Sequence, residues 1–178
     1  INILLPILID FIKMMNEKYK DIFYVFHSTS ELNRLVQDKL IKQGFKNCGS
    51  ISDEKIKSQV LKSSTFAVAK SGTISLEICK AKVPSIIIYK MNSINFLIVK
   101  MLVKVKYANI INIAANEEII PELLQSNCNS KNIFNKVDSF FENNQSMQNQ
   151  IDKSQKVIKN FKTNQSSKIA ASVLISSF

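Results

Sequence analysis

The segment from Ser71 to Thr73 places a glycine between two hydroxyl side chains, where a strand pattern gives way to a helix pattern. The apolar run 65–69 predicts a short buried strand, and residues 73–81 predict the helix that follows it. Gly72 permits a tight turn between the two because it carries no Cβ. The first backbone N–H groups of a helix lack partners and stand at the positive end of its dipole, and the two hydroxyls add further donors. The segment therefore predicts a binding site for a phosphate group.

Glu77 lies four residues after Thr73, on the same face of the predicted helix and one turn deeper. A carboxylate at that distance from a phosphate is well placed to accept hydrogen bonds from the hydroxyls of a ribose. The alternative is an ordinary Ser/Thr helix cap followed by a surface glutamate. These residues alone leave both interpretations open.

His27 and Lys90 each follow a predicted strand, at the sheet edge where ligands bind. A histidine there suits proton transfer, but no partner for His27 is visible in the sequence, so we expect a loop residue. Lys90 is expected either to neutralise a phosphate or to be a solvated lysine at a strand end. The carboxylates of Asp53 and Glu54 are interpreted as charges at the start of a helix.

Composition restricts the class of protein. The 178 residues are 46% hydrophobic, which suits one folded domain over residues 1–178. The spacing of the three cysteines fits neither a zinc site nor a disulfide framework, which predicts a reducing compartment. A single histidine argues against a metal site. The net charge of +10 comes from scattered lysines, without the aromatic run or arginine cluster of RNA-binding proteins. We therefore expect no nucleic-acid partner and favour an anionic lipid surface.

Strand and helix patterns alternate through the first half of the chain, which begins inside a predicted helix and is therefore interpreted as a fragment. The strand patterns are continuously apolar. This predicts an α/β, Rossmann-like fold with a parallel sheet, helices on both faces, and ligands at the carboxyl ends of the strands. The predicted strands are 22–26, 45–51, 65–69 and 84–89, and the helices between them are 30–41, 53–62 and 73–81.

The second half is predicted to be more helical. Residues 93–105 form a very apolar pattern with Lys100 and Lys104 on one stripe, typical of a core helix or of a helix lying in a membrane interface. Residues 107–114 are predicted to be extended, 117–125 and 131–142 to be helical, and 147–178 to form two terminal helices.

Several of these segments, in order and at matching spacing, resemble the lipid-A-disaccharide synthases, bacterial glycosyltransferases of family 19. The family's S-G-T-x-x-L-E turn resembles residues 71–77, its A-K-x-P resembles 81–84, and its Y-R-M resembles 89–91 with lysine in place of arginine. The further matches are F-x-x-x-K-x-L-V-K-x-x-Y at 96–107, an asparagine at 112, and E-L-L-Q-x-x-C at 122–128. The chain departs from the family at Ile111, where proline is typical, and at Asn116, where glycine is typical.

The resemblance implies the carboxyl half of a GT-B glycosyltransferase, with terminal helices. Such an enzyme transfers 2,3-diacylglucosamine from its UDP conjugate to 2,3-diacylglucosamine 1-phosphate, without a metal or cofactor. The catalytic residues and the family's G-S-R-x-x-E loop are expected in an amino half upstream of Ile1. The donor-binding set implied here is Ser71, Gly72, Thr73, Glu77 and Lys90, with Asn112 and Gln125 as weaker candidates.

The implied location is cytoplasmic and peripheral, at the inner face of the bacterial inner membrane, and assembly into a homo-oligomer is left open. Two alternatives stand beside this hypothesis. One is another UDP-sugar enzyme of similar architecture, such as a peptidoglycan glycosyltransferase or a UDP-sugar epimerase. The other is a non-enzymatic basic module at a membrane surface. The spacing from Tyr89 to Tyr107 favours the lipid enzyme, and the scattered lysines do not supply the clustered charge that the basic module needs.

Overall fold

Short parallel strands alternate with helices along the chain. The computed structural model describes residues 2–70, 72–91 and 106–161. The strands in these ranges are β1 (Tyr24–His27), β2 (Cys48–Ile51), β3 (Ala67–Lys70), β4 (Ser85–Tyr89) and β5 (Glu122–Leu124). The α-helices are α1 (Leu4–Lys18), α2 (Ser30–Lys42), α3 (Glu54–Ser63), α4 (Ile74–Lys80), α5 (Ile110–Ala115), α6 (Ser130–Phe141) and α7 (Asn144–Phe161).

Every strand pairing in the described part of the chain is parallel. β1 pairs with β2, and β4 lies between β3 and β5 with Val68 opposite Ile86 and Ile88 opposite Leu123. A strand in the middle of a covered parallel sheet must be apolar on both faces. β4 meets this requirement, because Ile86, Ile87 and Ile88 are each at most 2% exposed.

Helices cover both faces of β4. Ile86 and Ile88 belong to a cluster with residues of α1 and α6, such as Met15 and Ile133. Ile87 points to the opposite face, where it joins a cluster with residues of α5 and α7. A third cluster packs α1 against α2. The clusters and the parallel pairings confirm the predicted α/β fold with helices on both faces of β4. The described strands form two parallel sheets, one of two strands and one of three, where a single sheet was predicted.

One amide side chain fixes α7 to the first residue of β4. Gln150, which is 6% exposed, accepts a hydrogen bond from the Ser85 backbone N–H through Oε1 at 2.6 Å. Its Nε2 donates to the Ser85 carbonyl oxygen at 3.0 Å. The side chain thus pairs with Ser85 as the peptide group of a neighbouring strand would.

Two predictions on the chain after Tyr107 are wrong. Residues 107–114 were expected to be extended because isoleucine favours strands, but Asn109 caps a helix there by accepting a hydrogen bond from the Ile111 N–H. Residues 117–125 were expected to be helical, yet they contain a turn and then β5. The Pro121 carbonyl oxygen already accepts from the Ile87 N–H, which starts the pairing of β5 with β4.

Other local predictions are confirmed. Asp53 caps α3 by accepting a hydrogen bond from the Ile56 N–H at 2.8 Å, as expected for a charge at the start of that helix. The first of the two terminal helices is α7. The predicted helix 93–105 and the second terminal helix, in 162–178, lie outside the described residues. Within the described ranges, no helix is both long enough and apolar enough to cross a lipid bilayer.

Candidate functional site

The carboxyl ends of the strands bring most of the predicted site residues to one edge. Gly72 follows β3, Lys90 follows β4 and Gln125 follows β5. The three strands are parallel, so these ends meet at the same edge of the sheet. His27 is the last residue of β1 and not part of a loop. Ser71 lies outside the described residues.

Gly72 has a backbone conformation that other residues adopt with difficulty. Its φ is +151°, in the region that favours glycine, although a Cβ at this position would meet no atom within 4 Å. Gly72 and Thr73 are both exposed. The Thr73 side chain makes no capping hydrogen bond to α4. The turn is therefore open to solvent, and the Thr73 hydroxyl is not used to cap the helix.

A buried chain of polar groups supports this turn from below. Ser75 Oγ donates to the Gly72 carbonyl oxygen at 2.9 Å and accepts from Asn109 Nδ2 at 2.8 Å. Ser75 and Asn109 are both fully buried. The Asn109 backbone N–H in turn donates to the Glu122 carboxylate at 2.9 Å. The turn after β3 is thus connected to β5 by a chain of hydrogen bonds whose middle link, between Asn109 and Ser75, is buried.

Sequence reasoning missed this chain of groups. Asn109 stands directly before an isoleucine run, and an asparagine before an apolar run is a helix-start signal that would have pointed to α5. Ser75 and Glu122 carry no such signal, because their partners lie on other elements.

Glu77 projects from α4 and is held by a lysine of α3. Lys57 Nζ lies 2.8 Å from Glu77 Oε2 and also pairs with the carboxylate of Glu54. Glu54 Oε1 lies 3.2 Å from His27 Nε2, so four side chains form a line from the end of β1 to α4. Hydrogen bonds to Glu54 and Glu77 raise the pKa of the Lys57 ammonium, and the bond from Lys57 lowers the pKa of the Glu54 carboxyl. Glu54 is therefore the first residue of α3 and also connects that helix to the end of β1 through His27.

Asn112 is fully buried, and all its polar side-chain atoms are engaged. Nδ2 donates to the Ile120 carbonyl oxygen at 2.7 Å and to Glu122 Oε1 at 2.8 Å. Oδ1 accepts from the backbone N–H groups of Ile119 and Ile120, both at 2.9 Å. Asn112 therefore stabilises the turn that precedes β5.

Gln125 differs from Asn112 because it has an unused donor. Its Oε1 accepts from the Met91 N–H at 3.3 Å, while its Nε2 is buried and has no partner among the described residues. Its backbone φ is +50°, an uncommon value for a residue other than glycine. Lys90 Nζ donates to the Cys128 carbonyl oxygen at 3.2 Å, close to the same turn. A buried amide without a partner is costly, so Gln125 is a candidate for bonding to a ligand.

These groups include donors for an anion and an acceptor for hydroxyls, both of which a phosphorylated sugar-containing ligand would use. Backbone and amide donors at Gly72, Thr73 and Gln125 can receive an anion, and the Glu77 carboxylate can accept from hydroxyls. No group of three or more His, Cys, Asp or Glu side chains placed to hold a metal ion occurs in residues 2–70, 72–91 and 106–161.

Comparison with known proteins gives the family that this chain resembles. A family model described as lipid-A-disaccharide synthetase matches residues 1–175. Lipid-A-disaccharide synthase of Rickettsia prowazekii (strain Madrid E) is 36% identical over 177 residues, which cover 98% of this chain and 46% of that protein. The protein of the same name from Rickettsia canadensis (strain McKiel) is 36% identical over 98% of this chain and 45% of its own length. The one from Rickettsia bellii (strain OSU 85-389) is 37% identical over 90% and 42%. The chain thus spans less than half the length of these curated relatives.

Proposed function

We propose that this chain, which belongs to the lipid-A-disaccharide synthetase family, is the donor-binding half of a glycosyltransferase that acts in lipid A biosynthesis. The observation that carries the proposal is the family match over residues 1–175. The whole protein would transfer 2,3-diacylglucosamine from its UDP conjugate to 2,3-diacylglucosamine 1-phosphate, forming a β-1,6 disaccharide and UDP. This family favours the lipid enzyme over the peptidoglycan and epimerase alternatives.

In the proposed reaction the described residues bind and orient the departing UDP. Negative charge grows on the β-phosphate as the bond to the sugar breaks, and donors already in place stabilise that charge without rearrangement. The exposed turn at Gly72 and Thr73 supplies such donors on a rigid support, because Ser75 and Asn109 fix it from below. Ser71, by its place in the motif, would add a hydroxyl.

Two further residues would contact the nucleotide. Glu77 has one carboxylate oxygen bonded to Lys57, and the other can accept from ribose hydroxyls. Gln125 has a buried Nε2 that lacks a partner among the described residues and can donate to an oxygen of the ligand. Lys90 lies near Gln125, where its charge would offset that of a phosphate. Asn112 would contribute indirectly, since it shapes the turn before β5.

The acceptor site and the catalytic base would belong to the other half of the whole protein. We propose that the whole protein works at the cytoplasmic face of the bacterial inner membrane, where its lipid substrates lie. Sequence features support this: the apolar run 93–105 carries Lys100 and Lys104, and the net charge is +10. Lysines near an anionic surface contribute about 1 kcal/mol each to binding.

Calorimetric titration of UDP into the whole protein tests the proposal. Glu77→Ala should weaken UDP binding by roughly 1.5–3 kcal/mol, the range for hydrogen bonds to a charged group. Glu17→Ala is the matched control, because Glu17 is an exposed glutamate near the end of α1 and is not one of the predicted site residues. Unchanged affinity in Glu77→Ala would remove Glu77 from the site, and absence of UDP binding by the unaltered protein would contradict the proposed function.

A further inference from the structure

Lys57 is the least exposed member of the line of charges that ends at Glu77. Its side chain is 12% exposed, against 70% for Glu54 and 47% for Glu77. The ammonium group pairs with both carboxylates at once, and Glu54 also reaches His27 at 3.2 Å. Lys57 is therefore held on α3 by Glu54 while it contacts Glu77 on α4.

The bond from Lys57 restricts the Glu77 side chain, which would otherwise be free to move. A half-exposed glutamate samples several rotamers, and fixing it when a ligand binds costs conformational entropy. Lys57 bonds to Glu77 Oε2 at 2.8 Å, and the described residues offer Oε1 no partner. Before a ligand binds, one carboxylate oxygen of Glu77 is thus already bonded to Lys57. The other oxygen is free to accept a hydrogen bond from the ligand.

The charge of Lys57 matters as well. A carboxylate beside a diphosphate is repelled by it, and a cation close to the carboxylate offsets that repulsion. Lys57 lies within hydrogen-bond distance of Glu77, so it reduces the negative charge that an approaching nucleotide meets.

We propose that Lys57 is a positioning residue of the nucleotide site, which orients the Glu77 carboxylate so that its free oxygen receives a ribose hydroxyl. This inference rests on the proposed function, because it takes the ligand to be a nucleoside diphosphate. Lys57 does not touch the ligand in this arrangement and acts through Glu77.

The test compares the affinities of UDP and of 2′,3′-dideoxyuridine 5′-diphosphate, which lacks the ribose hydroxyls. Lys57→Met should weaken UDP binding by about 5- to 10-fold, as expected for one charge-assisted bond lost indirectly, and weaken binding of the dideoxy nucleotide much less, since that nucleotide loses only the electrostatic effect of the Lys57 charge. Lys57→Arg, which keeps a cation between the two carboxylates, should restore most of the UDP affinity. Lys55→Met is the matched control, since Lys55 is an exposed lysine of the same helix and its loss changes the net charge equally.

The outcomes separate this inference from the proposed function. An unaltered protein that binds both nucleotides equally, or binds neither, would refute the ribose role of Glu77 and the role of Lys57 with it. Preference for UDP that disappears in Glu77→Gln but persists in Lys57→Met would overturn the role of Lys57 alone. Equal weakening of both nucleotides in Lys57→Met would assign Lys57 a general electrostatic effect and would also overturn the inference. Far-UV circular dichroism checks folding, and Lys57→Gln, which keeps a polar group, replaces Lys57→Met if the latter does not fold.

Discussion

Replacing Asn112 by alanine should destabilise the protein strongly. The substitution removes three hydrogen bonds to backbone groups and one to the Glu122 carboxylate. Each neutral bond is worth about 1 kcal/mol and the bond to the charged group about 1.5–3 kcal/mol. Glu122 keeps the backbone donors of Ala108 and Asn109, and alanine favours the helix slightly, so the full sum is not lost. We expect the free energy of unfolding to fall by about 3–5 kcal/mol.

Urea denaturation followed by far-UV circular dichroism measures this change. The slope of the free energy against urea concentration should stay the same, so that the shift of the midpoint reports stability. Asn135→Ala is the matched control, because Asn135 is an exposed asparagine on α6 and its loss should change stability by less than about 0.5 kcal/mol. A loss below about 1 kcal/mol in Asn112→Ala would refute the reasoning, since buried backbone groups left without partners cost more than that.

Three other outcomes are expected. Gly72→Ala should lower stability by about 1–2 kcal/mol because φ of +151° strains any other residue, and equal midpoints in urea for the two proteins would contradict this. Burial raises the pKa of the Cys79 thiol to about 11, so the folded protein keeps a proton that the unfolded chain has lost, and stability should fall between pH 9 and pH 11. The Cys79 thiol should account for about 2 kcal/mol of this loss of stability. An equally steep loss in Cys79→Ala would show that other groups cause it. Flotation of the whole protein with vesicles should show binding to anionic lipid that weakens with salt and in Lys100→Ala/Lys104→Ala, whereas equal recovery with neutral vesicles would argue against a membrane surface.

Local patterns sufficed to predict most of the strands and the sheet edge at which the candidate site residues lie. The strand before Ser71 and the glycine turn after it are signalled within a few residues, and parallel topology then determines at which end of the strands they lie. The elements after Tyr107 were harder to predict. The isoleucines around Asn112 favour a strand by propensity, but the Asn109 cap and the burial of Ile111 stabilise a helix instead.

Contacts between different helices and strands could not be predicted from local sequence patterns. Lys57 is one of many scattered lysines, and its pairing with Glu77 exists because α3 and α4 approach each other. Asn112 was a weaker candidate for contacting the sugar donor, yet its three bonds to the turn before β5 and its bond to Glu122 appear only in three dimensions. The donor-binding roles of Glu77, Lys90 and Gln125 stay predictions.

The pairing of Gln150 with Ser85 has a consequence for the order in which the protein is completed during synthesis. The two residues are 65 positions apart, so β4 leaves the ribosome well before the side chain that bonds to the N–H and the carbonyl oxygen of its first residue. At about 5–20 residues per second, the interval lasts roughly 3–13 s. During that time the start of β4 has apolar surface and an unpaired peptide edge, both of which favour pairing with other chains. We therefore expect the nascent chain to be most prone to aggregation, and to recognition by chaperones, in the interval between the synthesis of β4 and that of α7.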